Sequence, residues 1–262
     1  IIEGVLIPTS KRMTACISSQ AGCSLSCAFC ATGKLKLMKN LSAGEIVDQV
    51  VELNELATSN YSIPLSNIVL MGMGEPLLNY KQVISALEIL TDPNRFNISP
   101  RRITLSTAGI AKMIMKLGDE QVRFNLALSL HAADDIKRSE VMEINDSNNL
   151  ATLSEALIYF HERTGSRITF EYILFKDFND SLEDASNLAN FARCVPCKIN
   201  IIEYNSIGDS KFTKASAERT EAFTEFLERR NLIVNVRRSR GKDIDAACGQ
   251  LANKVNQARK LI

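Results

Sequence analysis

Three of the seven cysteines fall within eight residues, Cys23-Ser24-Leu25-Ser26-Cys27-Ala28-Phe29-Cys30, and Ala31-Thr32-Gly33 follows. Thiols this close cannot all pair with one another, so the CxxxCxxC spacing is a metal-binding pattern before it is a disulfide one. A zinc site built from thiolates normally takes four ligands in paired CxxC knuckles. A cubane iron–sulfur cluster has four irons, and three thiolates leave one of them open to an outside ligand. The cubane is the better match, with Cys23, Cys27 and Cys30 as its ligands.

The other four cysteines divide into two kinds. Cys194-Val195-Pro196-Cys197 is a CxxC with no second pair to complete a zinc site, and it is read as structural. Cys248 stands among the small residues of Asp243-Ile244-Asp245-Ala246-Ala247-Cys248-Gly249-Gln250-Leu251, and Cys16 lies seven residues before Cys23. Two non-ligand thiols that can converge on one site suggest thiol chemistry. Gly72-Met73-Gly74-Glu75-Pro76 adds glycines that let backbone approach a ligand and a carboxylate suited to an ammonium group. The chain has two histidines, His131 and His161, too few for a histidine-based metal site. His131 is left with two readings, a place beside a cofactor or a satisfied structural role.

Elements that would position these residues follow from periodicity. Apolar Ile46, Val50, Leu53 and Ala57 recur at helical spacing after Ser42-Ala43-Gly44-Glu45, a capping box, and predict a helix over 43–57. Strands are expected at 67–71, 102–106, 124–130, 167–174, 198–204 and 232–236. Helices are expected at 81–90, through 117, and at 153–163, 182–193 and 217–229. Residues 1–7 and 14–18 read as a short hairpin-like lead into the cysteine loop. Strands alternating with helices imply a parallel sheet with right-handed crossovers. Gly74, Glu75, Ser106, Ser129, His131 and Asn205 all fall at the carboxyl ends of strands, the rim where barrel enzymes build their sites. The fold class is therefore α/β, a partial TIM-like (β/α)6 barrel with a short N-terminal β extension.

Composition excludes little. Lysine plus arginine number 31 against 30 acidic residues, so net charge gives no whole-protein signal for nucleic acid. Any RNA contact must come from local groups: Lys34, Lys36 and Lys39; Arg101 and Arg102; or Arg237, Arg238, Arg240 and Lys242. No apolar run approaches the roughly 20 residues of a membrane span, and an odd cysteine count with three thiols in one loop reads as a reduced, cytoplasmic protein. The chain begins on an apolar strand-like segment at Ile1, and a missing N-terminal portion is expected.

Taken together the motifs resemble those of the radical SAM methyltransferases that modify an adenosine of 23S ribosomal RNA. The matching stretches are Cys16-Ile17-Ser18-Ser19-Gln20-Ala21-Gly22-Cys23, the CxxxCxxC loop, residues 71–79, residues 101–107, Ser129-Leu130-His131 and residues 243–251. The resemblance spans essentially the whole chain, as a single radical SAM core domain over 1–262 without the family's N-terminal accessory helical domain. It implies a [4Fe-4S] cluster on Cys23, Cys27 and Cys30, and S-adenosylmethionine held by Gly74, Glu75, Ser106, Ser129, Leu130, His131 and Asn205. It also implies two S-adenosylmethionine molecules per turnover: one methylates Cys248, and a second yields the radical that takes hydrogen from that methyl group. The carbon then joins the adenine ring, Cys16 releases the product through a transient disulfide with Cys248, and Glu3 accepts a proton.

Pro76-Leu77-Leu78-Asn79 is similar to the carbon-2 branch; the carbon-8 resistance branch has Ala in place of that Pro. Glu203 stands where the family usually has Pro. The implied partners are 23S ribosomal RNA, with transfer RNA as a second candidate, and a reductant such as flavodoxin or ferredoxin; a monomer is expected. Rival readings are carbon-8 methylation, glycyl-radical activation of a partner protein, and a non-catalytic iron–sulfur RNA-binding module.

Overall fold

The computed structural model describes residues 1–10, 12–208, 211–237 and 247–252. Arg238, Arg240, Lys242 and residues 243–246 of the last motif lie outside the described residues. Two compact units emerge. One comprises Ile1–Ser26, Cys30–Ser106 and Arg240–Ile262; the other comprises Cys27–Phe29 and Thr107–Ser239. Among the described residues no helix is long and apolar enough to cross a membrane.

The first unit opens with β1 (Val5–Pro8) antiparallel to β2 (Met13–Cys16), the anticipated N-terminal extension. A two-stranded ribbon of β3 (Gln20–Ala21) and β4 (Lys39–Asn40) brackets the cysteine loop. Helix α1 (Ala43–Tyr61) follows, then β5 (Asn67–Leu70), α2 (Tyr80–Thr91) and β6 (Ile103–Thr107). Strand order runs β1-β2-β5-β6, parallel from β2 onward.

The anticipated capping box starts α1: Ser42 Oγ accepts from the Glu45 amide and the Glu45 carboxylate accepts from the Ser42 amide. Ile46, Val50, Leu53 and Ala57 are its buried stripe, as the spacing requires. The helix runs four residues past the expected 57, and there the Thr58, Ser59 and Asn60 side chains donate to carbonyls four residues earlier. Ser62 then ends it in a left-handed conformation, φ 55°.

The second unit takes up α3 (Ala111–Asp119), β7 (Asn125–Ser129), α4 (Asp135–Val141), α5 (Leu150–Thr164) and β8 (Ile168–Leu174). It closes with α6 (Leu182–Phe191), β9 (Cys197–Glu203), α7 (Ala217–Glu228) and β10 (Val234–Arg237). Its strands run parallel in the order β7-β8-β9-β10. All seven residues of β8 are buried, the mark of a strand covered on both faces. Phe170 of β8 packs against Phe191 of α6 with the ring planes tilted by 51° and 5.5 Å between centroids. Phe170→Ala removes a fully buried ring from that sheet-helix contact and is expected to cost about 3–5 kcal/mol, read as a lower urea midpoint at unchanged slope.

Candidate active site

Of the anticipated site residues, Glu3, Cys16, Cys23, Cys30, Gly74, Glu75, Ser106 and Cys248 belong to the first unit. Cys27, Ser129, Leu130, His131 and Asn205 belong to the second. All seven cysteines are thiols, with no disulfide among them.

In the first unit the segment leaving β2 is locked onto the turn leaving β5. The Gly72 amide donates to Ile17 O (3.0 Å), and the Met73 amide to Ser18 Oγ (2.8 Å). Met73 O receives the Ser19 amide (2.9 Å), and Gln20 Oε1 accepts from the Glu75 amide (2.8 Å). The two chains approach so closely that a Cβ on Gly72 would lie 2.7 Å from Ile17 O, and one on Gly74, at φ +96°, 2.4 Å from the Gln20 side chain. Glycine is obligatory at both positions on steric grounds. Gln49 of α1 clamps the same segment, accepting from the Ser18 amide (2.8 Å) and donating to Ser18 O (3.0 Å). Asn79 donates to Ser19 O and Leu41 O, each at 2.8 Å.

This lock sets the geometry around the outlying site residues. The antiparallel pairing of Val5 with Cys16 brings Glu3 level with Ser18, whose hydroxyl donates to Glu3 O at 2.6 Å. Glu75 is buried, its carboxylate capping the turn at the Leu77 amide (3.0 Å). Gly22, at φ +77°, has room for no side chain, since its Cβ would lie 2.2 Å from Lys36 O. Cys23 follows directly, and its sulfur accepts from the Leu25 amide at 3.4 Å. Burial pushes the Cys23 thiol up to about 11, with the neighbouring Cys30 and Glu75 adding to the rise.

A thiol whose proton affinity burial has raised gives up its proton when a metal takes its place. Thiols and a buried carboxylate are the donor types that an iron–sulfur core and an ammonium group call for. Among the described residues no three His, Cys, Asp or Glu side chains converge on one ion position. A cubane does not need that, because each thiolate takes a separate iron.

Cys248 occupies an exposed turn closed by the Gln250 amide on Ala247 O (3.0 Å), with Gly249 at φ +83°. Two hydrogen bonds fasten this turn just beyond Cys30: the Ala31 amide to Gly249 O (2.7 Å), and Thr32 Oγ1 to Leu251 O (2.6 Å). The two partners of the second bond are 219 residues apart in sequence, and the bond is buried.

In the second unit Ser129 closes β7 and Asn205 lies just beyond β9, as anticipated. Leu130 and His131 leave β7 with both amides donating to Glu171 O, and His131 adopts φ 55°. His131 is buried; its Nδ1 accepts from the Ile173 amide (3.1 Å), so the ring proton sits on Nε2. Phe29 meets its ring edge-on at 4.6 Å. Glu203, the departure from the family pattern, pairs with Lys214 at 2.6 Å.

Cys194 and Cys197 both have raised thiol values, through burial first, with Cys197 pushed up to about 11; this is the profile of inert structural cysteines. Of the basic groups, Lys39 is paired with Glu45 and Arg237 with Glu171, the second largely buried on its acidic side. Gln49, Asn79 and Arg138 were not anticipated. Gln49 carried the best signal, a polar residue on the apolar stripe of α1.

Burial, followed by the charge of Arg138, brings the His131 imidazole down to about 3. An unfolded imidazole takes its proton near 6.5, so the folded state is penalised as pH falls below that value and the loss continues toward about 3. The stability difference between wild-type apoprotein and His131→Gln is expected to shrink by about 2 kcal/mol between pH 7 and pH 5, measured by urea denaturation. A difference independent of pH would contradict the buried neutral ring.

The radical SAM superfamily model matches residues 17–189. A probable dual-specificity RNA methyltransferase RlmN of Cytophaga hutchinsonii is 58% identical over 97% of this chain and 70% of its own. The protein of that name from Salinibacter ruber is 47% identical, over 98% of this chain and 72% of its own. A solved radical SAM methyltransferase from Sphaerobacter thermophilus superposes with a TM-score of 0.92 at 41% identity, over 95% of this chain and 73% of its own. Streptococcus suis SuiB bound to S-adenosylmethionine shares the fold alone, with a TM-score of 0.61 at 16% identity, over 84% of this chain and 49% of its own. The fold class is thus the α/β radical SAM partial barrel that the strand and helix alternation implied. By the family match and by its own motifs, the chain belongs to the RlmN family of radical SAM RNA methyltransferases.

Proposed function

We propose that this protein methylates carbon 2 of an adenosine in 23S ribosomal RNA, with transfer RNA as a second substrate, through a methyl group carried on Cys248. The observation that carries this reading is the fastening of the Cys248 turn to Ala31 and Thr32, the residues directly after Cys30. A carrier thiol has to be exposed enough to take a methyl group and close enough to the radical source to lose a hydrogen from it. An exposed Cys248 on a turn pinned beside the cysteine loop supports both requirements.

The substrate explains why such a carrier is needed. Carbon 2 of adenine lies between two ring nitrogens and is too electron-poor to attack a sulfonium methyl as a nucleophile. A thiolate meets no such obstacle, so Cys248 takes the methyl group by displacement and presents it as a thioether. When bound, the cluster on Cys23, Cys27 and Cys30 supplies the electron that opens the sulfonium bond of a second S-adenosylmethionine. The buried turn at Gly74 and Glu75 receives the methionine end of the cofactor. Ser106, Ser129, Leu130, His131 and Asn205 take its remaining polar groups, with His131 as a neutral Nε2–H donor.

Glu3, held level with Ser18, accepts the proton lost from carbon 2. Cys16, two residues before Ser18, attacks the Cys248 sulfur; the disulfide forms as the bond from that sulfur to the methylene carbon breaks, and the electron pair passes to that carbon, which takes a proton and stays on the RNA as a methyl group. A flavodoxin- or ferredoxin-like protein supplies reducing equivalents to a cytoplasmic monomer, with residues 1–262 as its radical SAM core.

Reconstituted protein is expected to hold about four irons and four sulfides, and replacement of Cys23, Cys27 or Cys30 by Ala to abolish radical formation. Cys248→Ala should keep cluster and cofactor yet accept no methyl group. Cys16→Ala should stall with RNA attached through a methylene bridge. Denaturing gels after reaction, with and without nuclease, separate the two: a nuclease-sensitive slow band is expected for Cys16→Ala only. Normal turnover by either variant would refute the carrier role.

A further inference from the structure

Arg138 is fully buried on α4, and no step described above uses it. Its guanidinium donates through Nε to Leu130 O (3.2 Å), through one terminal nitrogen to Asn145 Oδ1 (2.7 Å) and Asn148 O (3.4 Å), and through the other to Ala108 O (2.7 Å) and Ser129 O (3.5 Å). Every acceptor in that set is a neutral oxygen. Full hydrogen bonding satisfies the donors but leaves the charge itself without a bonded counter-ion, an expensive arrangement in a dry interior. Burial draws the group down to about 10, so it stays cationic at neutral pH.

Cys27 and Asp135 are the acidic groups whose charge bears on the guanidinium. The Asp135 carboxylate is turned to other work, accepting from Asn145 Nδ2 (3.0 Å) and the Leu150 amide (2.9 Å) at an exposed position. Cys27 is held to the same helix by its neighbours. The Ala28 amide donates to Val141 O at 3.0 Å, and Val141 lies one helical turn after Arg138 on the buried face of α4. Phe29, edge-on to His131, fixes the other side of the segment.

We infer that Arg138 is a positioning residue that sets the reduction potential of the iron–sulfur group at Cys27, its buried charge favouring the more negative reduced state while its hydrogen bonds hold the Ala108 turn and the end of β7. The inference rests on Cys27 being a cluster ligand. Reduction adds one negative charge to a thiolate-bound core, and a fixed cation in a low-dielectric surrounding stabilises that added charge. The exposed Asp135 works in the opposite direction and more weakly, as its place nearer to solvent requires.

The test is a dithionite titration of reconstituted holoenzyme, with the reduced cluster followed by electron paramagnetic resonance. Arg138→Gln should move the midpoint to more negative potential, and Arg138→Lys should restore most of the shift although it cannot rebuild the five bonds. Asp135→Asn should move the midpoint to more positive potential. A cluster present in all variants with unmoved midpoints overturns the inference. If Arg138→Gln yields no folded protein, Asp135→Asn decides, and a midpoint unmoved or moved negative there overturns it. Wild-type protein that takes up no four-iron cluster would remove Cys27 as a ligand, and the underlying reading would fall with it; a bound cluster with unmoved midpoints removes only the role of Arg138.

Discussion

The constraint on which the first unit depends is the contact between residues 17–20 and the Gly72–Glu75 turn. Leaving β2, the chain loses its strand partner while still buried, and a buried amide or carbonyl without a partner costs about 1–3 kcal/mol. Ser18, Ser19 and Gln20 meet that demand by bonding the turn after β5 and the side chains of Gln49 and Asn79. The exchange works only at a separation that excludes a Cβ at residues 72 and 74. One interaction thereby orients Glu3 and Cys16 on one side, Glu75 on another, and the start of the cysteine loop at Gly22 and Cys23.

Electrostatics divides between the two units in a way that suits an iron–sulfur enzyme. In the first, burial, with Cys30 and Glu75 nearby, raises the proton affinity of the Cys23 thiol. In the second, burial, followed by the charge of the buried Arg138, keeps His131 neutral. A neutral His131 with its proton on Nε2 is a fixed donor that does not change across the pH range of a cell.

Much of this was legible in the sequence because the relevant signals were local. Apolar spacing located α1, and the capping box at Ser42 and Glu45 located its start. The glycines of Gly72-Met73-Gly74-Glu75-Pro76 marked a close approach, and what approaches them is the segment of residues 17–20 of the chain itself. Helix α4 was missed: it has seven residues, and it buries one arginine and one valine where a periodic apolar stripe would have announced it. The β3 and β4 ribbon is two residues per strand and carries no alternation to read. The attachment of the Cys248 turn to Thr32 spans 219 residues, and no spacing rule reaches that far. Motif resemblance singled out Cys248, and the hydrogen bonds show what holds its turn in place.

The most direct measurement follows the origin of the transferred carbon. Protein already methylated on Cys248 with ordinary S-adenosylmethionine is freed of cofactor, given RNA and S-adenosylmethionine bearing a trideuterated methyl group, and stopped within one turnover. Mass spectrometry of the RNA nucleosides then reads the product. A carrier on Cys248 predicts a first-turnover methyl group whose carbon comes from the protein and lacks the deuterium-rich mass of the added cofactor. A first-turnover product built from the deuterated methyl group would contradict transfer through Cys248.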